Sequence, residues 1–130
     1  RPAARRAFAG GVRGQLFFET LRLYIGVIAR VVTMKPSEVL ERNREAIRSA
    51  VARRRLTNPR VFGSVARGED QTGSDLDILV DAPSGTTLFT LGGLQSDLEK
   101  LLLGTEIHLL TPGDFPAKIR ARVLAEAKPI

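Results

Sequence analysis

The sequence predicts an α/β (α+β) domain, a small mixed β-sheet covered by helices, and three observations carry that expectation. Two stretches with apolar residues at three- and four-residue steps, at about 36–55 and 87–103, alternate with short apolar runs at 60–62, 76–80 and 106–110. Those runs are too short for helices and are bounded by glycine, proline and asparagine, as strands are. With 130 residues and 43% hydrophobic content, the chain can build one modest core in which helices cover a sheet.

The first 33 residues stand apart from this pattern. They hold six arginines against the single acid Glu19, a net charge of +5, which leaves fourteen bases against thirteen acids after Thr33. Met34 is the only methionine, so a natural start there is expected, with 1–33 an N-terminal extension and 34–130 the domain. The apolar run from Leu16 to Val32 is broken by Glu19, Arg22 and Arg30 and fails the criterion of about 20 apolar residues for a membrane span. No cleavage pattern of a signal peptide follows it, and the extension is expected to be helical or extended. The chain has no cysteine, which excludes disulfides and thiolate chemistry and fits a cytoplasmic protein.

From Met34 on, Pro36 opens an amphipathic helix through Val39, Leu40, Ala46, Ile47, Ala50 and Val51. Arg53, Arg54 and Arg55 suit its negative end, and Asn58-Pro59 supplies the stop. Arg60-Val61-Phe62 is a short strand that runs into Gly63-Ser64, and Val65-Ala66-Arg67 form one helical turn ended by Gly68. After a polar loop from Glu69 to Ser74, Leu76–Val80 is a second strand with Asp77 embedded in it. Asp81 is expected to start the turn at Pro83. Leu88, Leu91, Leu94, Leu98, Leu101 and Leu102 mark the next helix, weakened in the middle by Gly92-Gly93. Gly104 ends it, Glu106–Leu110 is a third strand, and Asp114 caps a last helix reaching Ala127.

An aspartate inside an apolar strand is costly unless its charge is compensated, and here Asp75 and Asp77 flank Leu76. Strand residues two apart share a face and lie about 6.6–7 Å apart, close enough for both carboxylates to share metal ions. Two aspartates without histidine or cysteine partners favour Mg²⁺ over zinc, and the natural co-ligands of Mg²⁺ are the phosphates of a nucleotide. Gly63-Ser64, at a strand-to-helix turn, allows a phosphate to approach free backbone N–H groups, and Arg67 lies one turn later for charge-assisted hydrogen bonds. Each signal alone is weak, and their order along the chain is the specific part.

The segment Gly63-Ser64-Val65-Ala66-Arg67-Gly68, followed after a polar loop by Ser74-Asp75-Leu76-Asp77-Ile78-Leu79-Val80, resembles the DNA polymerase β-like nucleotidyltransferases. Its short form is similar to the minimal nucleotidyltransferases encoded beside HEPN-domain toxins. The resemblance covers about residues 36–127 and implies a nucleotidyltransferase fold. It implies that Gly63, Ser64, Arg67 and Ser74 bind the nucleotide, that Asp75 and Asp77 ligate Mg²⁺, and that ATP is the substrate. It further implies antitoxin action by transfer of AMP to a hydroxyl of a partner HEPN toxin.

The third carboxylate of that superfamily, carried by the next strand, is replaced here by His108 within Glu106-Ile107-His108-Leu109-Leu110. Glu106, two residues earlier on the same face, is a substitute metal ligand. His108 itself can be a general base toward the attacking hydroxyl, a metal ligand or a hydrogen-bonded structural residue. If the site is impaired, the chain neutralises its partner by binding alone. The nearly neutral body offers no electrostatic track for a nucleic acid, and the length leaves no second substrate pocket, so the acceptor is expected on another protein chain. Assembly with further copies of this chain stays open.

Overall fold

The computed structural model describes residues 15–27 and 34–130. Contacts divide the chain into two compact units, Arg1–Arg30 and Val31–Ile130. In the first, residues 15–27 are helical (α1) and expose Leu16, Phe17, Phe18, Leu23, Tyr24, Ile25 and Val27. The remaining expectations for residues 1–33 lie outside the described residues. Among the described residues no helix is long and apolar enough to cross a membrane.

The second unit runs α2 (Pro36–Arg53), β1 (Thr57–Phe62), α3 (Gly63–Arg67), β2 (Leu76–Asp81), α4 (Leu88–Leu101), β3 (Ile107–Leu110), a 3₁₀ turn (Pro112–Asp114), α5 (Ala117–Glu126) and β4 (Lys128–Pro129). The strands form one mixed sheet in the order β3-β2-β1-β4, with β2 and β3 parallel and both pairings of β1 antiparallel.

Strand alternation assigns the two faces of this sheet. Leu76, Ile78 and Val80 of β2 join Val61 and Ile107 in the main core, against Val39, Leu40, Ile47, Ala50 and Val51 of α2 and Leu94 and Leu98 of α4. The other face of β2 carries Asp77, Leu79 and Asp81. There Leu79 and Phe62 pack with Val123 of α5, and Phe115 meets Phe62 edge-on with ring centroids 5.7 Å apart. Helices therefore cover the sheet on both sides, and α5 covers the second face over Leu79.

The structure corrects several expected boundaries. Strand β1 starts at Thr57, because Asn58, which takes a left-handed φ of 52°, bends the strand in an irregular register instead of stopping it. Pro59 is accommodated inside β1, and its carbonyl accepts the N–H of Ile130 at 2.9 Å. Asp81 ends β2 rather than starting the turn: it pairs with Arg60 and accepts Asn58 Nδ2 at 3.1 Å. Asp114 caps the 3₁₀ turn in a reciprocal box with Thr111, and α5 begins only after Pro116. Strand β4 was not anticipated. Its Pro129 lies opposite Arg60 on one edge of the sheet. On the other edge, Gln95 Nε2 of α4 donates to the carbonyl of Ile107 at 2.9 Å.

Two contacts tie the connecting segments to the core. Helix α2 has no side-chain cap of its own at Lys35, and Asp70, from the polar loop, accepts the N–H of Ser37 at 2.9 Å. Asp70 is 8% exposed, so this bond both satisfies a buried carboxylate and fixes the loop that joins α3 to β2. At the opposite end of α2, Arg54 donates to Asp97 of α4 at 2.9 and 3.2 Å.

Candidate active site

Register places the acids. Asp77 lies opposite Phe62 of β1 on one side and opposite His108 of β3 on the other. Phe62 is the residue before Gly63, so the antiparallel pairing carries the Gly63-Ser64 bend up to the Asp77 side chain. The approach is close. A Cβ added to Gly63 would stand 3.3 Å from Asp77 Cγ and 3.7 Å from its Cβ, with the carboxylate oxygen nearer still. Gly63 also has φ +69°, so a side chain there meets both a clash and backbone strain.

Asp75, one residue ahead of β2, projects to the same side. His108 Nε2 lies 3.3 Å from Asp75 Oδ2 and 3.4 Å from Glu106 Oε1. The donor atoms of Asp75, Glu106 and His108 all fall within 4.8 Å of one another. Their side chains are open to solvent, at 44%, 74% and 45% exposure, so an incoming ion or substrate can reach them. Carboxylate oxygens with one imidazole and nearby water suit a divalent cation.

Asp77, expected as a metal ligand beside Asp75, lies outside that three-residue cluster, and it is the electrostatically stressed carboxylate next to it. Its pKa is raised above the ordinary value, first because partial burial penalises the charged form. His108 and Arg67 pull it down, while Asp75 and Glu126 push it further up. Carboxylates held together on one sheet face, one of them desolvated, are the arrangement a cation relieves.

The other expected residues are placed as follows. Ser64 lies in the first turn of α3, half-buried, behind Gly63. Arg67, at the end of α3, is 3.0 Å from Glu69 and 3.2 Å from Glu126. Gly68, at φ 71°, closes α3 as a left-handed cap. Ser74 closes the turn before Asp75: its Oγ accepts the N–H of Gln71 at 2.9 Å, and its own N–H donates to the carbonyl of Gln71 at 2.9 Å. The residue that sequence reasoning missed is Glu126, whose Oε1 accepts the N–H of Gly63 at 2.8 Å. The single signal for it is an acid at the end of the last helix.

A mixed sheet that sets paired aspartates against a glycine-serine bend is the architecture of a nucleotidyltransferase. The profile of the nucleotidyltransferase domain matches residues 40–130. A Methanocaldococcus jannaschii protein named as a candidate protein adenylyltransferase is 40% identical over 67 residues, which cover 52% of this chain and 71% of that protein. A solved structure described as a candidate minimal nucleotidyltransferase superposes with a TM-score of 0.65 at 41% identity, covering 72% of this chain and 95% of that one. A toxin–antitoxin structure with AMP-PNP superposes with a TM-score of 0.57 at 21% identity, covering 67% of this chain and 71% of that one, and supports the fold alone. The chain belongs to the nucleotidyltransferase-domain family, and its fold matches that of a minimal nucleotidyltransferase.

Proposed function

We propose that this protein is an antitoxin that transfers AMP from ATP, with Mg²⁺, to a hydroxyl of a partner HEPN-domain toxin. One observation carries the reading: β2 holds Asp77 between Phe62 and His108 and directly against Gly63. Family membership, the adenylyltransferase name of the archaeal relative and the toxin–antitoxin structures that share the fold support it.

In this reading Asp75 and Asp77 hold the metal, and Glu106 and His108 complete its surroundings. When bound there, a divalent ion would supply neutralisation of phosphate charge. Gly63 and Ser64 receive the triphosphate through backbone N–H groups, Arg67 adds a cation, and Ser74 holds the turn that presents Asp75. The acceptor oxygen forms a bond to the α-phosphorus, the bond to the leaving pyrophosphate breaks, and the hydroxyl proton passes to a base, a role this reading gives to His108. The products are an AMP-modified protein and pyrophosphate.

Incubating the protein and its neighbouring-gene product with α-labelled ATP and Mg²⁺ tests the reading. Label is expected on the partner, and Asp77→Asn is expected to abolish it; transfer that persists in the variant removes Asp77 from the chemistry. His108 beside Asp77 favours a second reading, neutralisation by binding alone, because an imidazole replaces a carboxylate there. That reading expects a tight complex without nucleotide and a partner of unchanged mass.

A further inference from the structure

Glu126 ends α5, far from every motif residue in sequence, and its carboxylate sits among them. Oε1 accepts the N–H of Gly63 at 2.8 Å, and the two oxygens lie 3.3 and 3.2 Å from Nη1 of Arg67. The side chain is 24% exposed, so it is held in place and not waving in solvent. Gly63 in turn touches Asp77. A carboxylate thus occupies one amide and one guanidinium at the bend that lies against Asp77.

Carboxylate and phosphate oxygens seek the same donors, and charge-assisted bonds to either are short and strong. The lone N–H of Gly63 cannot serve both, and a fixed negative charge beside Asp77 repels an entering polyanion. We propose that Glu126 is a resident anion in the triphosphate seat, standing in for a phosphate oxygen in the nucleotide-free protein and displaced when the nucleotide binds. The proposal rests on the nucleotide-binding reading given above. Arg67 keeps Glu69, 3.0 Å away, as a partner once Glu126 leaves. Glu126 directly precedes Ala127 and β4, and β4 pairs with Arg60 and Val61 of the strand that leads into Gly63. The apparent nucleotide affinity is lowered by the fraction of molecules in which Glu126 holds the seat.

The test is calorimetric titration of the full chain with Mg²⁺ and a non-hydrolysable ATP analogue, comparing the natural protein with Glu126→Gln and Glu126→Ala. Glutamine keeps an acceptor for Gly63 and removes the charge, so the analogue is expected to bind it roughly fivefold tighter or more. Alanine is expected to tighten binding as well, while lowering the melting temperature. Adenosine, which has no phosphates, is expected to bind all three alike. Equal or weaker binding of the analogue to Glu126→Gln, with the natural protein binding it, overturns the resident-anion role alone. Failure of all three proteins to bind the analogue overturns it together with the nucleotide-site reading.

Discussion

Asp77 shows at the scale of one residue how function and stability oppose each other. Partial burial raises its pKa, so ionisation costs the folded protein stability at neutral pH when no cation is bound. The sign follows from the direction of the shift. The penalty is present above the raised pKa and vanishes as pH falls below the ordinary carboxylate range, where Asp77 is protonated in both states. Asp77→Asn is therefore expected to stabilise the metal-free protein at pH 7 and to lose that advantage in acid. Urea denaturation at both pH values checks this, and a destabilised variant at pH 7 contradicts it. This residue was legible in the sequence because a charge inside an apolar strand demands compensation. Glu126 was not, since its contact with Gly63 spans 63 positions and a single acid at a helix end has no periodicity to betray it.

Helix α4 shows what spacing conveys about an element and what it omits. The leucine pattern locates the helix, and Leu94 and Leu98 are fully buried, but the Gly92-Gly93 pair reads in the sequence only as a weakness. The two glycines differ in their surroundings. A Cβ on Gly92 meets nothing within 4 Å, whereas one on Gly93 would lie 2.6 Å from Nη1 of Arg54, the guanidinium that bonds Asp97. Gly92→Ala is expected to stabilise the fold by about 0.5–1 kcal/mol through helix propensity. Gly93→Ala is expected to gain less, because Arg54 must move off Asp97. Equal gains by thermal denaturation would show that Arg54 does not depend on the missing side chain. Boundaries were least legible where tertiary contacts outweigh local preference: Asn58-Pro59 reads as a stop yet lies within β1, and the two residues of β4 are too few to form a pattern. The N-terminus of α2 was legible from Pro36, but its cap comes from Asp70, more than thirty positions away.

For the whole molecule, the order of elements and the helix-covered sheet were legible, since strand and helix periods alternate along the chain; the strand order and the fourth strand were not. Among the described residues, those of the main core all belong to the second unit, and Met34 packs against it. A protein starting at Met34 is therefore expected to fold with a melting temperature close to that of the full chain. Any salt-sensitive binding of the full chain to random-sequence DNA is expected to be absent from it, because the surplus of +5 is removed with residues 1–33. Calorimetry and a salt titration on random-sequence DNA check the two halves, and collapse of the melting transition would make the extension part of the fold. The borders of the sheet carry a last consequence. Pro129 has no N–H to offer, and the Ile107 carbonyl is already engaged by Gln95. Each rim thus offers another chain fewer free backbone groups, which works against edge-to-edge pairing.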